Sequence, residues 1–296
     1  MIIGATYGDA NGNYAAGQSY VVFGNNSGFS SSLDSSSLDG TNGFVLDGID
    51  TLDRSGTSVS GVGDFNGDGI DDVIIASPGP GRNNKLYDGE SYVVFGQGGA
   101  FPAIFDLSTL NGTNGFVVVP EVDGSVRSNQ SVSGAGDVNG DGFDDLIIEA
   151  NDTGANADSL DGYVVFGTNI GFSSLLNLST LDGTNGFVIN GIDTNDSSRR
   201  SVSGAGDING DGIDDLIIGA RGADSYAGES YVVFGRAAST VLKGDVDLDG
   251  DVNFADIGPF IAVLQSGVFQ AEADCDCSTV VDFADIPAFI ALLQGQ

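Results

Sequence analysis

The chain has 296 residues, of which 41% are hydrophobic and 17% charged, so it has enough apolar material for one or two packed domains and is not a disordered tail. Nine Lys and Arg against 42 Asp and Glu give a net charge of −33, which repels nucleic acid phosphates and anionic membrane surfaces and favours cations as partners. The absence of His excludes His-based acid or base catalysis, Ser-His nucleophiles and His-ligated zinc or iron sites.

The first residues, "MIIGATYGDA", lack the basic region and apolar core of a signal peptide, so we expect any export signal to lie upstream. No run of 18 apolar residues marks a membrane span. Cys275 and Cys277 are too few and too close together for a disulfide framework. We interpret them as incidental, with a local disulfide or a soft-metal site as the alternatives.

Internal repeats organise the chain as far as about residue 235. The segment "SYVVFG" or a near relative begins at residues 19, 91, 162 and 230, and "TNGFV" begins at residues 41, 113 and 184. A third element is acidic and reads "DFNGDGIDD", "DVNGDGFDD" and "DINGDGIDD" from residues 64, 137 and 207, so one unit is 70 to 73 residues long. This period is at the long end of those that build propellers and arrays.

Short β-branched and aromatic runs bounded by Gly, Asn, Asp and Ser predict four strands in each unit. We predict strand A at Ser201–Gly206, B at Leu216–Ala220, C at Glu229–Phe234, and D at Gly115–Val119 and Gly186–Asn190. The run "DDLIIGA" is apolar at consecutive positions, so both faces of strand B should be buried between neighbouring sheets. The pattern predicts an all-β fold of propeller blades, because no blade can bury its faces alone.

The acidic loops have the residue types and spacing of a calcium site. Calcium takes six to eight oxygen ligands, commonly from alternate positions of a tight loop with Gly at the sharp turn. Positions one, three, five and nine of each loop carry Asp or Asn side chains, and position seven can offer its main-chain carbonyl. The predicted ligands are Asp64, Asn66, Asp68, Ile70 and Asp72; Asp137, Asn139, Asp141, Phe143 and Asp145; and Asp207, Asn209, Asp211, Ile213 and Asp215.

The alternative is that Asn-Gly-Asp-Gly serves only as a turn, since these residues all favour turns. Mutual repulsion of three or more carboxylates in one tight loop favours the cation instead. We expect the ion to be structural, tying strand A to strand B, with no catalytic role. The position-eight aspartates, Asp71, Asp144 and Asp214, should point away from the ion and be solvated or bonded to the backbone.

The units resemble FG-GAP repeats, the calcium-binding blades of integrin alpha-subunit propellers and of many bacterial secreted proteins. The resemblance rests on Phe95-Gly96 and, with Ser in place of Gly, on Ala76-Ser77-Pro78; the other copies lack the Pro. It covers residues 1–235, divided into a partial unit 1–24 and units 25–96, 97–167 and 168–235. The segment "MIIGA" aligns with "LIIGA" at residues 216–220, so the chain starts inside a blade and holds about three and a half blades. Either the reading frame begins upstream, as part of a larger propeller, or an incomplete propeller leaves edges that associate; we favour truncation.

After a linker at 236–242, residues 243–296 follow a different pattern. "GDVDLDGDVNFADIGPFIAVL" and its degraded copy "ADCDCSTVVDFADIPAFIALL" each read as an EF-hand-type loop that leads into a short amphipathic helix. The first loop offers ligands at Asp245, Asp247, Asp249, Asp251 (carbonyl), Asn253 and Asp256. The second keeps Asp274, Asp276, Asp282 and Asp285 but has Ser278 and Thr279 at positions five and six, so its calcium affinity should be lower or absent.

This all-α pair of loops and helices resembles a dockerin, which implies attachment to a cohesin-like protein. The residues that would help choose the partner are Phe254, Ala255, Phe283 and Ala284, which are apolar rather than polar. The alternative is a calcium-stabilised terminal domain whose helices pack only on each other, because so small a domain needs metal to be stable.

Two functions of different class fit this sequence. The first is a non-enzymatic, calcium-stabilised module of a secreted or cell-surface protein, which binds a protein or glycan through the propeller and attaches through the dockerin-like domain. The second is the accessory part of a secreted polysaccharide-degrading hydrolase whose catalytic domain lies upstream. A glycosidase with paired carboxylates inside this chain is disfavoured, because the acids lie largely in the repeated loops.

Overall fold

Short antiparallel strands dominate the part of the chain described by the computed structural model, which covers residues 1–26, 28–79, 89–120, 131–151, 160–190, 201–220 and 227–237, with Ile257, Phe260, Ile261 and Ile286. Sixteen strands in these residues form four sheets. They are β1 Ile2–Ala5, β2 Gln18–Val22, β3 Gly43–Asp47, β4 Val59–Gly63, β5 Asp72–Ser77, β6 Glu90–Val94, β7 Ile104–Asp106, β8 Gly115–Val119, β9 Val132–Gly136, β10 Asp145–Asn151, β11 Leu160–Val165, β12 Leu175–Asn177, β13 Gly186–Ile189, β14 Ser201–Gly206, β15 Asp215–Ala220 and β16 Glu229–Val233.

The sheets follow the predicted order of strands A, B, C and D. Sheet 1 is β1-β2-β3, sheet 2 is β4-β5-β6-β8, sheet 3 is β9-β10-β11-β13 and sheet 4 is β14-β15-β16, all antiparallel. The predicted strands A and D at Ser201–Gly206 and Gly115–Val119 are confirmed, and the others differ by one residue at one end. This all-β arrangement of several sheets is consistent with a propeller.

Two short strands that the sequence did not predict close the outer edges of the first two sheets. Strand β7 pairs parallel with β3, with Val45 opposite Ile104, and β12 pairs parallel with β8, with Val117 opposite Leu175. We call residues 101–106 and 172–177 the crossover segments, because each reaches from one repeat to the sheet before it. Phe101 stacks on Phe44 at a centroid distance of 4.1 Å, and Phe172 stacks on Phe116 at 4.8 Å.

The core lies between consecutive sheets. Separate clusters of buried side chains fill the spaces between sheets 1 and 2, 2 and 3, and 3 and 4. Both faces of β10 are buried, and Ile74 and Ile147 are fully inaccessible. The predicted two-sided burial is wrong for parts of the outer sheets, where Ile217 is 39% and Ile3 47% exposed, because no described sheet covers that face.

Glycine lets the first strands of neighbouring sheets approach closely. A Cβ on Gly134 would lie 2.6 Å from the carbonyl oxygen of Gly61, so no larger residue fits between β4 and β9. Ser60 Oγ accepts a hydrogen bond from the Gly134 N–H at 3.3 Å, and Ser58 Oγ accepts one from the Val132 N–H at 3.1 Å. Small residues in strand A therefore align one sheet against the next.

The chain divides into two compact units, Met1–Ala237 and Ala238–Gln296. In the second unit the described residues are Ile257, Phe260, Ile261 and Ile286, which have helical backbone, and Phe260 is buried. No helix among the described parts of the chain is long and apolar enough to cross a membrane.

Candidate metal centres in three acidic loops

The first acidic loop, Asp64–Asp72, connects β4 to β5 and folds its side-chain oxygens over its own backbone. Asp64, at position one, accepts hydrogen bonds from the N–H groups of Asp68 and Gly69, both at 2.9 Å. Asn66 Oδ1 also accepts from the Asp68 N–H, and Asp68 Oδ1 accepts from the Ile70 N–H, each at 2.9 Å. Positions one, three and five are therefore held on the inner side of one tight turn.

The same hydrogen bonds recur in the second and third loops. Asp137 and Asp207 each accept from the N–H groups at positions four, five and six, at 2.6–3.0 Å. The amide oxygens of Asn139 and Asn209 accept from position five at 2.9 Å. Asp141 and Asp211 accept from position seven at 2.9 and 3.0 Å. Three loops with different neighbours thus share one internal geometry.

Glycine makes this turn possible at positions four and six. In the first loop Gly67 and Gly69 have φ of 73° and 85°, and the corresponding glycines of the other two loops have φ between 72° and 90°. A residue with a Cβ is strained in this region of backbone space.

The position-nine aspartates are buried and connect each loop to the end of strand C. Asp145 accepts a hydrogen bond from the Val138 N–H on one oxygen and from the Gly167 N–H on the other, both at 2.9 Å. Asp72 and Asp215 make the equivalent pairs with residues 65 and 96 and with residues 208 and 235. The glycine that donates in each pair is the Gly of the repeated Phe-Gly.

Burial raises the pKa of Asp72 to about 7 and that of Asp145 to about 8. Desolvation is the largest cause, and repulsion by the position-five carboxylate adds to it, while the hydrogen bonds from backbone N–H groups act in the opposite direction. A nearby cation would favour the ionised form of both groups. Without a bound cation, the ionised carboxylates of these loops therefore lower the free energy of unfolding.

The donor set fits calcium in kind, because it consists of carboxylate, amide and carbonyl oxygens. Among the described residues, no three Asp, Glu, Cys or His side chains converge as a metal-binding group. The side-chain oxygens at positions one, three and five accept hydrogen bonds from backbone N–H groups. Each of the two oxygens of the position-nine carboxylate does the same. The ligand role of all fifteen predicted loop positions stays a prediction.

The position-eight aspartates have a specific partner that the sequence did not predict. Asp144 Oδ2 accepts a hydrogen bond from the Asp64 N–H at 2.8 Å, and Asp214 Oδ2 accepts one from the Asp137 N–H at 3.1 Å. Each thus bonds to backbone, as expected for one of the two alternatives, but the backbone belongs to the preceding loop. Burial is the main cause that raises the pKa of Asp144. Asp71 occupies the same position in the first loop and is exposed.

Another buried carboxylate, Asp53, lies outside the acidic loops, in the connection from β3 of sheet 1 to β4 of sheet 2. It is 4% exposed, and one of its oxygens accepts a hydrogen bond from the Asp50 N–H at 2.6 Å. Desolvation raises its pKa to about 7, with smaller contributions from the charges of Asp50 and Glu90. Asp53 stands outside the repeated motifs, so no sequence signal distinguished it from a surface acid.

The predicted C-terminal ligands and partner-choosing residues, at positions 245–256 and 274–285, lie outside the described residues. The two predicted calcium loops, residues 238–242 of the predicted linker and the two cysteines also lie outside the described residues, and their assignment stays a prediction.

Comparisons with known proteins place the repeats in a family. Residues 55–94 and 199–233 match the FG-GAP repeat, and each match spans strands A, B and C with the acidic loop between A and B. Phosphatidylinositol-glycan-specific phospholipase D from Bos taurus is 27% identical over 201 residues, or 62% of this chain and 22% of the relative. Integrin alpha-PS5 from Drosophila melanogaster is 30% identical over 176 residues, or 57% of this chain and 15% of the relative.

The mouse phospholipase D is 30% identical over 96 residues, which is 32% of this chain and 11% of the relative. The chain thus spans between 11% and 22% of the length of these curated relatives. The findings establish that the chain carries FG-GAP repeats and is similar to part of an integrin alpha subunit.

Proposed function

We propose that this chain is a calcium-stabilised, non-catalytic binding module of a secreted or cell-surface protein. The observation that carries the proposal is the threefold repetition of one loop geometry, with oxygens of positions one, three and five held on one side of a glycine turn. Turn formation alone does not require carboxylates at these positions, whereas a hard cation does.

In each loop the side chains at positions one, three and five and the carbonyl at position seven would hold the ion, and position nine would complete the set. Calcium, when bound, supplies the positive charge that offsets repulsion among these acids. Position nine then joins the loop to strand C through its two backbone hydrogen bonds, so the ion would tie strands A, B and C of one sheet together. The proposed role is structural, since the ligands of each site would all come from one loop that joins two strands of the same sheet.

The likeness to an integrin alpha subunit supports a binding or adhesion role at the surface of a cell. A protein or glycan ligand suits the loops at the sheet ends, because the net charge of −33 disfavours nucleic acids and anionic membranes. For residues 243–296 we keep the dockerin-like function, attachment to a cohesin-like protein. Calorimetric titration of the full chain tests its two loops: Asp245→Ala should remove a calcium site and Asp274→Ala should change little, and equal effects would contradict the distinction.

A second candidate function is an accessory region of a secreted hydrolase. It is favoured by the two phospholipase D relatives, whose names describe an enzyme and whose length far exceeds the matched segment. The gene sequence upstream of residue 1 discriminates the two functions. A catalytic domain there supports the hydrolase, while further FG-GAP repeats and a signal peptide support the binding module.

Thermal unfolding with and without excess chelator tests the calcium proposal. At a calcium concentration one hundred times Kd, one site adds about 2.7 kcal/mol to the free energy of unfolding. For a domain of this size that corresponds to a rise in Tm of about 5–10 °C per site. An identical Tm in calcium and in EDTA would contradict the proposal.

The variant Asp68→Asn locates the effect in one loop. It keeps an oxygen that can accept the Ile70 N–H and removes only the charge. We expect one calcium site to weaken at least tenfold, because a charged ligand is lost. Asp39→Asn is the matched control, since Asp39 forms a similar exposed turn with Thr41, outside the acidic loops.

A further inference from the structure

The contact between one acidic loop and the next is made by the same atoms in both places where the structure describes it. Asp144 accepts from the Asp64 N–H at 2.8 Å and donates its own N–H to the Asp64 carbonyl at 3.3 Å. Asp214 repeats both bonds with Asp137, each at 3.1 Å. In each pair, the position-eight aspartate thus bonds to both the N–H and the carbonyl of the position-one residue. That residue belongs to the loop of the preceding sheet.

A glycine makes room for each of these aspartates. Gly63 and Gly136 precede position one with φ of 72° and 74°, and a Cβ on either would clash with the Oδ2 atom of Asp144 or Asp214. Gly206 precedes the third loop with a similar φ of 66°, but a Cβ there would meet nothing within 4 Å. The space beside this glycine is therefore occupied by an aspartate at the first two loops. At the third loop no described residue occupies it.

Further contacts from the following sheet cover the first two loops. The Phe65 carbonyl accepts from the Thr168 N–H at 2.9 Å, and the Val138 carbonyl accepts from the Arg236 N–H at 2.9 Å. The ring of Phe143 lies over Gly67, where any Cβ would clash with it. A loop covered at several points has fewer backbone conformations to lose when it closes on an ion.

We propose that the position-eight aspartates Asp144 and Asp214 are positioning residues for the calcium sites of the preceding sheet, so that each site is completed by its neighbour. The inference rests on the proposed function, since it assumes that the loops bind calcium. Asp64 and Asp137 are the acids that organise each loop by accepting its inner N–H groups, and their backbone is fixed from outside. The first and second loops consequently bind calcium more tightly than the third.

The test compares alanine at three equivalent positions of the full chain. Calcium binding is measured by calorimetry and by competition with a chelating dye. Asp144→Ala and Asp214→Ala should each weaken one site about tenfold, the lower range for loss of a residue that orients a metal ligand. Asp71→Ala is the matched control, because Asp71 is exposed and accepts no hydrogen bond from any residue that the structure describes. Equal effects at the three positions would overturn the inference.

Two further comparisons separate positioning from charge and assign the site. Asp144→Asn keeps an acceptor for the Asp64 N–H, so it should restore most of the affinity lost in Asp144→Ala. Asp144→Ala should have no further effect on calcium binding in a chain whose first site has been removed by Asp64→Ala together with Asp68→Ala, but should keep its effect when Asp137→Ala together with Asp141→Ala has removed the second. The opposite pattern would show that Asp144 serves its own loop, and the inference would fail.

Glycine substitutions probe the same contact from the other side. Gly63→Ala and Gly206→Ala carry similar backbone strain, so their difference reports the clash with Asp144. We expect Gly63→Ala to weaken calcium binding several-fold more than Gly206→Ala. If the wild-type chain binds no calcium, the proposed function fails. The contact is then still measurable, as a lower Tm of Asp144→Ala than of Asp71→Ala in EDTA.

Discussion

The first and third acidic loops have the same residue types at the same spacing, yet the protein surrounds them differently. The first is covered by Asp144, Phe143 and Thr168 of the following sheet, whereas no described residue comes within 4 Å of a Cβ placed on Gly206, just before the third. Two equivalent phenylalanines show the same contrast: Phe101, in a crossover segment, is 9% exposed, and Phe29, at the matching position of the preceding unit, is 62% exposed. A repeat fixes the internal geometry of each loop, and the neighbouring sheet decides how firmly that geometry is held.

The sharpest way to break this comparison is to truncate the two equivalent phenylalanines. Phe101 stacks on Phe44 and contacts Phe23 and Phe105, so Phe101→Ala should lower the free energy of unfolding by about 3–5 kcal/mol. Phe29→Ala should change it by less than about 0.5 kcal/mol, because the ring is exposed. Urea denaturation of both variants measures the difference. Similar losses would mean that Phe29 is as well packed as Phe101.

Alanine substitutions at two position-nine aspartates should lower the free energy of unfolding by different amounts, and this difference is smaller than that between the phenylalanines. Asp145→Ala leaves the buried N–H groups of Val138 and Gly167 without acceptors, which should cost about 3 kcal/mol. Asp215→Ala frees the N–H groups of Ile208 and Gly235, whose hydrogen bonds are only partly buried, so water can replace the carboxylate and the cost should be about half as large. Denaturation in EDTA isolates this effect from metal binding, and a reversed order would contradict the account.

The smallest effect concerns Asp53, a buried carboxylate outside the acidic loops. Its pKa is about 7 in the folded protein and about 3.9 when unfolded, so the folded state binds more protons between these values. Stability from this group is therefore present at low pH and is lost as pH rises from about 4 through about 7.

The variant Asp53→Asn removes this titration. Its Tm relative to wild type should increase by about 5–10 °C between pH 5 and pH 8, because two pH units of excess proton binding by the folded state correspond to about 2.7 kcal/mol. Using the difference between the two proteins at each pH cancels the titration of the acidic loops. A relative Tm that stays constant with pH would show that Asp53 is ionised throughout.

Much of the fold could be predicted because local signals agree with it. Strand D at Gly115–Val119 follows from a β-branched run between turn residues, strand A at Ser201–Gly206 follows from its place in the repeat, and the glycine turns follow from Asn-Gly-Asp-Gly. Strands β7 and β12 could not be predicted, because three residues carry too little periodicity and their partners lie far away in the chain.

The candidate site was predictable in part. Alternating acids and amides indicate the inward positions of the loop, but the side chain of position eight was assigned only to solvent or backbone. Its partner is the position-one N–H of another repeat, at a distance of 77 to 80 residues along the chain. No local pattern encodes such a contact. The exposure of Asp71 likewise depends on what stands beside it and not on its sequence, which matches that of Asp144.

Because of strands β7 and β12, the boundaries of a repeat in the sequence do not coincide with the boundaries of a sheet in the structure. Sheet 2 takes β4–β6 from the unit at 25–96, β8 from the next and β12 from the one after. During synthesis the outer edges of sheets 1 and 2 therefore stay unpaired until a later unit has left the ribosome, and an unpaired edge can pair with other chains. A duplicated DNA segment of one repeat length encodes a full set of strands, wherever in the repeat the segment begins. An array of this kind can therefore lengthen without a new fold.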